Sequence, residues 1–568
     1  MKKAWIPVCI VFLLHASILP AQTPATKDPH CCAAKVTDKD WYTSGKQAPF
    51  LSGLEGITFP ISTSQDMAHS FFLQGFMLSY SFNHAEAARS FYEAIRIDSN
   101  CAMCYWGYAL VLGPNYNGGM EADNYPRAYD AAQKALAKSG SCTPKERDLI
   151  AALAKRYAKD APEDRSALDT TYANAMREVY RKYKDDVDVV TLFAESLMDL
   201  HPWDLYDKQG NPKAWTPEIV KTLEAAIALS PRHAGANHFY IHAMEASKTP
   251  EQAEASADLL RDLVPGAGHL VHMPSHIYIH TGRYHEGSLS NQQAVLVDSF
   301  YFTSCHAQGV YPLAYFPHNY HFLVACATLE GNSALAMDAA KKVSDFSDKE
   351  LMKKPEWATL QHYSTIPYFV AVKFGRWEEI LKMPEPEQKY PKIIFHYARG
   401  FAGIGMGDPD RAEEELNRIK ILMEDPALKE LTIWGINSLY AIGEIAQAVL
   451  EGELSAYQGN YPDAISRLDR AVILEDGLNY DEPPDWFFSV RHNLGAVFIA
   501  AGRYKEAGRI LEEDLDKFPA NGWALAGLMD AASRAGDKER AAHYKKQFDE
   551  AWEYADIPIV TSRIGKKK

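Results

Sequence analysis

The chain is poor in cysteine, with 8 in 568 residues, and one of these, Cys9, lies in an N-terminal apolar run. The other seven are Cys31, Cys32, Cys101, Cys104, Cys142, Cys305 and Cys326. An odd number cannot all pair within one chain, and so sparse a set excludes a disulfide scaffold. Basic residues are also in deficit. Lys plus Arg total 59 against 74 Asp plus Glu, a formal charge of −15, which excludes a nucleic-acid surface built on clustered cations. Beyond Leu19 no apolar run is long enough to cross a bilayer. Alternating polar and apolar strand patterns are absent. There is no Gly-x-Ser-x-Gly, no phosphate loop ending Gly-Lys-Ser/Thr, no dinucleotide fingerprint and no His-Glu-x-x-His, so several enzyme classes lose their usual signatures. With 47% hydrophobic and 23% charged residues the composition is globular, not disordered.

The N-terminus reads as an address. Lys2 and Lys3 precede the apolar run Ala4–Leu19, a charged region and an h-region too short for a comfortable membrane span. Residues 1–21 are therefore expected to be a signal peptide cut after Ala21, with 22–65 an N-terminal extension. The chain is expected to be exported, periplasmic or extracellular, with no membrane span once the signal is removed.

Internal periodicity organises most of the remaining chain. Gly502 to Gly536, Ala507 to Ala541 and Pro231 to Pro265 are each 34 residues apart. Small residues around one large apolar residue recur at Gly75/Ala87/Phe91/Ala94 and at Gly452/Gly459/Ala464/Leu468/Ala471. Turns repeat as Thr281–Tyr284, Gln458–Tyr461 and Ala501–Tyr504, each with Gly second and Tyr last. Small residues let two antiparallel helices approach, glycine ends the first helix of a pair, and proline marks the boundary of the second. Over roughly residues 66–550 the pattern resembles the tetratricopeptide repeat (TPR). The resemblance implies an all-α fold, an α-solenoid of TPR-type helix hairpins in a right-handed superhelix, with a groove lined by the first helix of each pair. The arrays are expected at 66–380 and 392–556, joined by a proline-containing connection at 381–391 and followed by a tail at 557–568. Insertions at Gly113–Gly119, His201–Ala214 and Phe302–Pro317 break the period, as does the loop Gly477–Trp486. The loop Glu482-Pro-Pro-Asp-Trp486, with Gly113-Pro-Asn115 and His272-Met-Pro-Ser-His276, is similar to a class of exported bacterial TPR proteins.

The histidines are the unusual feature. Eleven of the 20 lie between His233 and His321. His238 and His242 are four apart and so share a helix face, as do His272 and His276, and the two pairs are themselves 34 residues apart. Alignment of the next unit puts His321 in the slot of His238 and His272, and His318 in that of His269; His280 continues the His276 face. TPR resemblance implies that these first-helix slots face the groove. Pro274 disfavours helical geometry at Met273, which places His272 just ahead of its helix.

Two His at i and i+4 are the spacing by which a helix holds one metal ion, and imidazole suits Zn, Cu, Ni or Fe. The candidate metal residues are His238, His242, His269, His272, His276, His280, His318 and His321, with a divalent transition metal, Zn or Cu, as the cofactor they would take. Glu195 and Asp199 on the expected helix Val187–Leu200, and Glu245 one turn beyond His242, are candidate carboxylates. The alternatives are a polar groove for a peptide and a surface that titrates near neutrality. Trp106, Asn115 and Asn117 are candidate groove residues, although Gly-Pro-Asn equally reads as a helix stop and turn. Arg491, with His492, could pair with Glu482 or clamp a carboxylate. Cys101-x-x-Cys104 reads as a structural disulfide or buried small residues, or as a redox pair or half of a metal site.

The expected function is binding of a protein or peptide partner in the groove, with no nucleic acid. The alternative is a metal-dependent oxidase or hydrolase using His238, His242, His272, His276 and His321; metal storage or delivery is a third reading.

Overall fold

The computed structural model describes residues 38–305, 311–486 and 488–565. The expected signal peptide, Cys31, Cys32, His306 and the final lysines lie outside them. The described residues form helix hairpins in chain order. The first are α1 (Asp66–Tyr80) with α2 (His84–Ile97) and α3 (Ala102–Leu112) with α4 (Asn124–Lys138). Next come α5 (Pro144–Leu153), α6 (Ser166–Lys182), then α7 (Val187–Met198) with α8 (Thr216–Leu229) and α9 (Ala234–Met244) with α10 (Glu254–Leu263). A first arm in two pieces, α11 (Gly268–His272) and α12 (Pro274–Thr281), pairs with α13 (Tyr284–Cys305), and α14 (Phe316–Leu329) pairs with α15 (Ser333–Asp345). Short helices α16 (Thr359–Tyr363), α17 (Ile366–Lys373) and α18 (Trp377–Ile380) lead to α19 (Lys389–Met406) with α20 (Pro409–Leu422) and to α21 (Ala427–Glu430). The last hairpins are α22 (Leu439–Tyr457) with α23 (Tyr461–Asp476), α24 (Arg491–Ala500) with α25 (Tyr504–Lys517), and α26 (Gly522–Arg534) with α27 (Lys538–Ala551). Strand structure among the described residues is one two-residue ribbon, Thr432–Ile433 against Asn437–Ser438, Thr432 opposite Ser438. The protein is a TPR-like all-α solenoid.

The repeat residues do the work their chemistry implies. A Cβ on Gly107 would stand 2.3 Å from the Phe91 ring, and one on Gly75 3.0 Å from it, so the two glycines make the slot into which Phe91 wedges between α1 and α3. Gly282 closes α12 in the left-handed region at φ +78°, where a side chain would be strained. Pro274 interrupts the first arm of its hairpin by removing an N–H and crowding the preceding turn. Met273 nonetheless stays helical (φ −51°, ψ −34°), so His272 ends α11 one turn before His276 on α12.

Two large hydrophobic cores meet within α12, one running up to Tyr278 and the other starting at Ile279. The 381–391 stretch does not separate them. Ile380, Leu381 and Met383 pack into the second core, and Tyr368 donates a 3.1 Å hydrogen bond to the Pro384 carbonyl.

The superhelix also closes on itself. Tyr284 Oη donates to the Pro519 carbonyl at 2.7 Å, Trp523 Nε1 to Thr328 O at 2.9 Å, and the Asp556 carboxylate accepts from the Ser333 and Ala334 amides, each at 2.8 Å. The Gly477–Trp486 loop reaches back across the concavity, where Glu482 pairs with His280 and Tyr480 stacks over Trp203 at 6.4 Å. Among the described residues no helix is long and apolar enough to cross a membrane.

Candidate metal centre

Closure turns the expected open band of imidazoles into a buried cluster. His238, His242, His269, His272 and His276 are each at most 2% exposed, and His318 is half-buried. They gather as two triads, His238–His242–His269 and His272–His276–His318, in which one ligand atom per residue lies within 4.8 Å of the others. A third set, His242–Glu245–His276, joins the triads. Each triad crosses a repeat boundary: two imidazoles four apart on one first arm are completed by one from the next hairpin.

The hydrogen bonds on the far side of each ring set the tautomers. His238 Nδ1 lies 2.6 Å from the carbonyl of Tyr80, the last residue of α1. His242 Nδ1 lies 2.7 Å from Glu245 Oε1, and the other carboxylate oxygen takes His276 Nδ1. His272 Nδ1 lies 2.7 Å from Asn291 Oδ1, whose amide nitrogen is committed to the Gly287 carbonyl at 2.8 Å. Each of these oxygens accepts, so each ring carries a proton on Nδ1, and the Nε2 atoms of His238 and His242 are left as bare lone pairs. This is how ligating histidines are held, oriented from behind by a carboxylate, a carbonyl or an amide.

The Nε2 atoms of His238 and His242 are buried with no hydrogen-bond partner, and those of His272 and His276 face each other at 2.9 Å. Two lone pairs so placed repel unless a proton or a metal ion lies between them. Two ligands at 2.0–2.1 Å from one tetrahedral ion stand about 3.3 Å apart, so the pair would open by a few tenths of an ångström to hold one. His269 has neither ring nitrogen hydrogen-bonded.

Electrostatics keep the donors neutral. Burial holds His238, His269, His272 and His318 well below the ordinary imidazole range, and neighbouring imidazoles add to the effect in each. His242 is lowered by burial against the pull of Glu245. Burial acts to raise Glu245, but His276 and His242 outweigh it and hold the carboxyl down to about 2. The pocket thus gathers six imidazoles, five of them held down by burial, around one carboxylate.

Aromatic rings wall it. Phe82 lies 4.6 Å from His238 and 5.5 Å from His269, Trp203 5.9 Å from His242, Tyr315 5.1 Å from His269, and Phe322 4.3 Å from His276. Phe82 and Trp203 both adopt left-handed backbone, φ +55° and +57°, a conformation that costs a bulky residue of order 1–3 kcal/mol. Two of the four non-glycine residues in that region among the described residues are thus spent on covering the cluster. Beyond Phe82 and Tyr315 lies a cavity of 110 Å³, lined also by His84, Asn115 and Asn117.

The other expected site residues fall elsewhere. His280 turns to Glu482 and Tyr480. His321 faces His362 and Tyr363 at 6.0 and 5.2 Å, because a contact from this slot leads to the following repeat, as His238 leads to His269. Trp106 is a core residue, 1% exposed and packed on Phe59, Phe72 and Phe76, so it does not line a groove. Asn115 forms the turn, its Oδ1 accepting from the Asn117 amide at 2.8 Å. Glu195 and Asp199 are not with the histidines: Asp199 pairs with buried Arg156 at 2.5 Å, and burial raises the two carboxyls to about 8 and about 7. Arg491 grips Asp476 through both terminal nitrogens, at 3.0 and 2.8 Å, and not Glu482. His492 is buried between Asp514, 3.0 Å away, and Lys373, 2.8 Å away. Cys101 and Cys104 are free and buried, with Cys101 Sγ capping α3 by accepting from the Cys104 amide.

Nothing in the spacing of Tyr80, Phe82 or Asn291 ties them to the histidines they face, whereas Tyr315 and Phe322 flank His318 at three and four residues. Trp203 lies within the His201–Ala214 insertion, but nothing in its spacing ties it to His242.

No family model matches the sequence, and no curated protein is similar to it. Solved structures that align along most of the chain are helical assemblies of low identity. The human IFIT1 dimer with m7Gppp-AAAA is 13% identical over 88% of this chain and 92% of its own, with a TM-score of 0.31. The Cut9–Hcn1 hetero-tetramer of APC/C is 12% identical over 87% and 78%, TM-score 0.31, and yeast Tom70 12% over 85% and 93%, TM-score 0.28. Likenesses of this size say nothing of ligands or activity.

Proposed function

We propose that this protein is a metal-binding solenoid whose two imidazole triads each hold a transition-metal ion, Zn or Cu. One observation carries the reading: four buried histidines spend their Nδ1–H on fixed oxygen acceptors and turn their Nε2 atoms into two adjoining three-histidine clusters. A peptide groove needs polar side chains that a partner can reach, and these are sealed. Buried imidazole nitrogens without partners cost about 1–3 kcal/mol each, a cost that a bound ion would remove at His238, His242 and His269. The signal-like N-terminus supports an exported site of action, which N-terminal sequencing of the secreted or periplasmic fraction tests.

Elemental analysis of natively purified protein, followed by metal titration of the stripped chain, decides the matter. Two transition-metal ions per chain are expected, and His242→Ala with His276→Ala, which removes one ligand from each triad, should lower the stoichiometry. Trace metal with no uptake on titration overturns the reading.

A second reading keeps the partner but moves its place. Leu296 and Phe300 on α13, 65% and 67% exposed, edge a cleft of 400 Å³ lined by Leu51, Leu78, Pro265 and Tyr301. Exposed apolar residues beside a cleft suit an apolar protein segment. Leu296→Glu with Phe300→Glu would abolish such capture in a pull-down from the exported fraction while leaving metal content unchanged. Equal recovery of partners by the double variant would remove this reading.

A further inference from the structure

The two triads are copies of one another. His238 and His242 become His272 and His276 one repeat later, and the completing His269 becomes His318. The next copy fails, because the residue four after His321 is Ala325. Repeat architecture has therefore placed two equal sites side by side. His242 of the first and His276 of the second share Glu245 and lie 5.5 Å apart, ring to ring, while His269 and His272 lie 5.6 Å apart.

Charge selects the ion. Each triad offers three imidazoles and no anion of its own, and the carboxylate of Glu245 is already engaged by two Nδ1–H groups. Two divalent ions would bury four positive charges against one negative, in a pocket where uncompensated charge is expensive. Two monovalent ions leave a single excess charge. Three imidazoles with no anion satisfy a monovalent cation of low coordination number, and among the metals that imidazole suits the monovalent one is copper(I). Two adjacent copper(I) ions, each with an open position, hold two available electrons. The 110 Å³ cavity is of a size for small molecules, and Phe82 and Tyr315, which line it, both pack against His269.

We propose that the two triads hold a pair of copper(I) ions, and that the pair binds dioxygen reaching it past Phe82 and Tyr315. On binding, one electron leaves each copper, giving two copper(II) ions and a dioxygen unit reduced by two electrons with its O–O bond intact. No proton is consumed in that step. This rests on the metal-binding reading above and assigns the ion, the number of ions and the ligand.

The test uses the full chain stripped of metal, loaded anaerobically with copper(I), then exposed to measured dioxygen while uptake and electron paramagnetic resonance are followed. Two copper ions per chain are expected, with uptake of one dioxygen per chain and little copper(II) resonance, because the two unpaired spins couple across a shared ligand. His318→Ala, which alters a half-buried member of the second triad alone, should drop copper to one per chain and give a full copper(II) resonance on slow oxidation. Circular dichroism and thermal melting report whether that variant is folded; should it unfold, His318→Gln replaces it. Two copper ions that oxidise to fully visible, uncoupled copper(II) overturn the pair and leave metal binding standing. Uptake of zinc with no copper(I) does the same. Loss of all metal binding by the folded wild-type chain overturns both.

Discussion

Glu245→Gln isolates the group on which the centre turns, because Glu245 touches the ligands and is placed to orient them. Its two oxygens accept from His242 Nδ1 and His276 Nδ1, one in each triad. A glutamine keeps one acceptor oxygen and presents an NH₂ to the other ring. That ring must then accept at Nδ1, which moves its proton to Nε2 and removes a ligand from one triad. Loss of an orienting partner of this kind costs 10- to 100-fold in metal affinity, about 1.4–2.8 kcal/mol. Apo stability should change far less. The variant gives up charge-assisted hydrogen bonds worth about 1.5–3 kcal/mol each, but it also no longer buries a carboxylate, whose desolvation costs several kcal/mol. Competition titration against a chromophoric chelator reads the affinity of each site, and thermal melting of the stripped protein reads the fold. The expected result is one site weakened 10- to 100-fold, the other kept, and a melting temperature within a few degrees of wild type. Two sites of unchanged affinity in a folded variant would refute the tautomer argument.

Gly268→Ala tests the link between packing and the first triad. Its Cβ would meet Asp298 Oδ1 at 2.1 Å, next to His269, so a loss of about 1–3 kcal/mol in urea melts is expected, with the His238–His242–His269 site weakened and the other spared. Lys373 gives a pH signature outside the centre. Burial lowers its ammonium to about 7, so between pH 7 and 10.5 the unfolded chain binds more protons than the folded one, and stability must rise with pH. Lys373→Met should remove up to about 1.4 kcal/mol per pH unit of that slope in urea melts at pH 7.5–9.5; identical slopes would show that the ammonium is not desolvated.

The sequence by itself determined the repeat and the ligand types. The 34-residue phase follows from small residues where helices touch, as at Gly75 and Gly107 against Phe91, and from glycines that end first helices, as at Gly282. Such requirements are local, so they can be read along the chain. The same phase placed His238/His242 and His272/His276 in matching slots, and Glu245 one turn on. Which imidazoles meet was beyond its reach. His318 enters the centre and His321 does not because each slot contacts the following repeat, a consequence of how successive hairpins pack. Glu195 and Asp199 are equally suitable carboxylates by spacing, but buried Arg156 claims Asp199, and both lie outside the triads. Closure of the superhelix, with Tyr480 and Glu482 laid across the concavity and Phe82 and Trp203 forced into left-handed backbone, depends on contacts between residues hundreds of positions apart. Only the tertiary structure decides such contacts, because no local pattern encodes a long-range packing partner. They turned a row of histidines facing a groove into a buried, pre-oriented cluster.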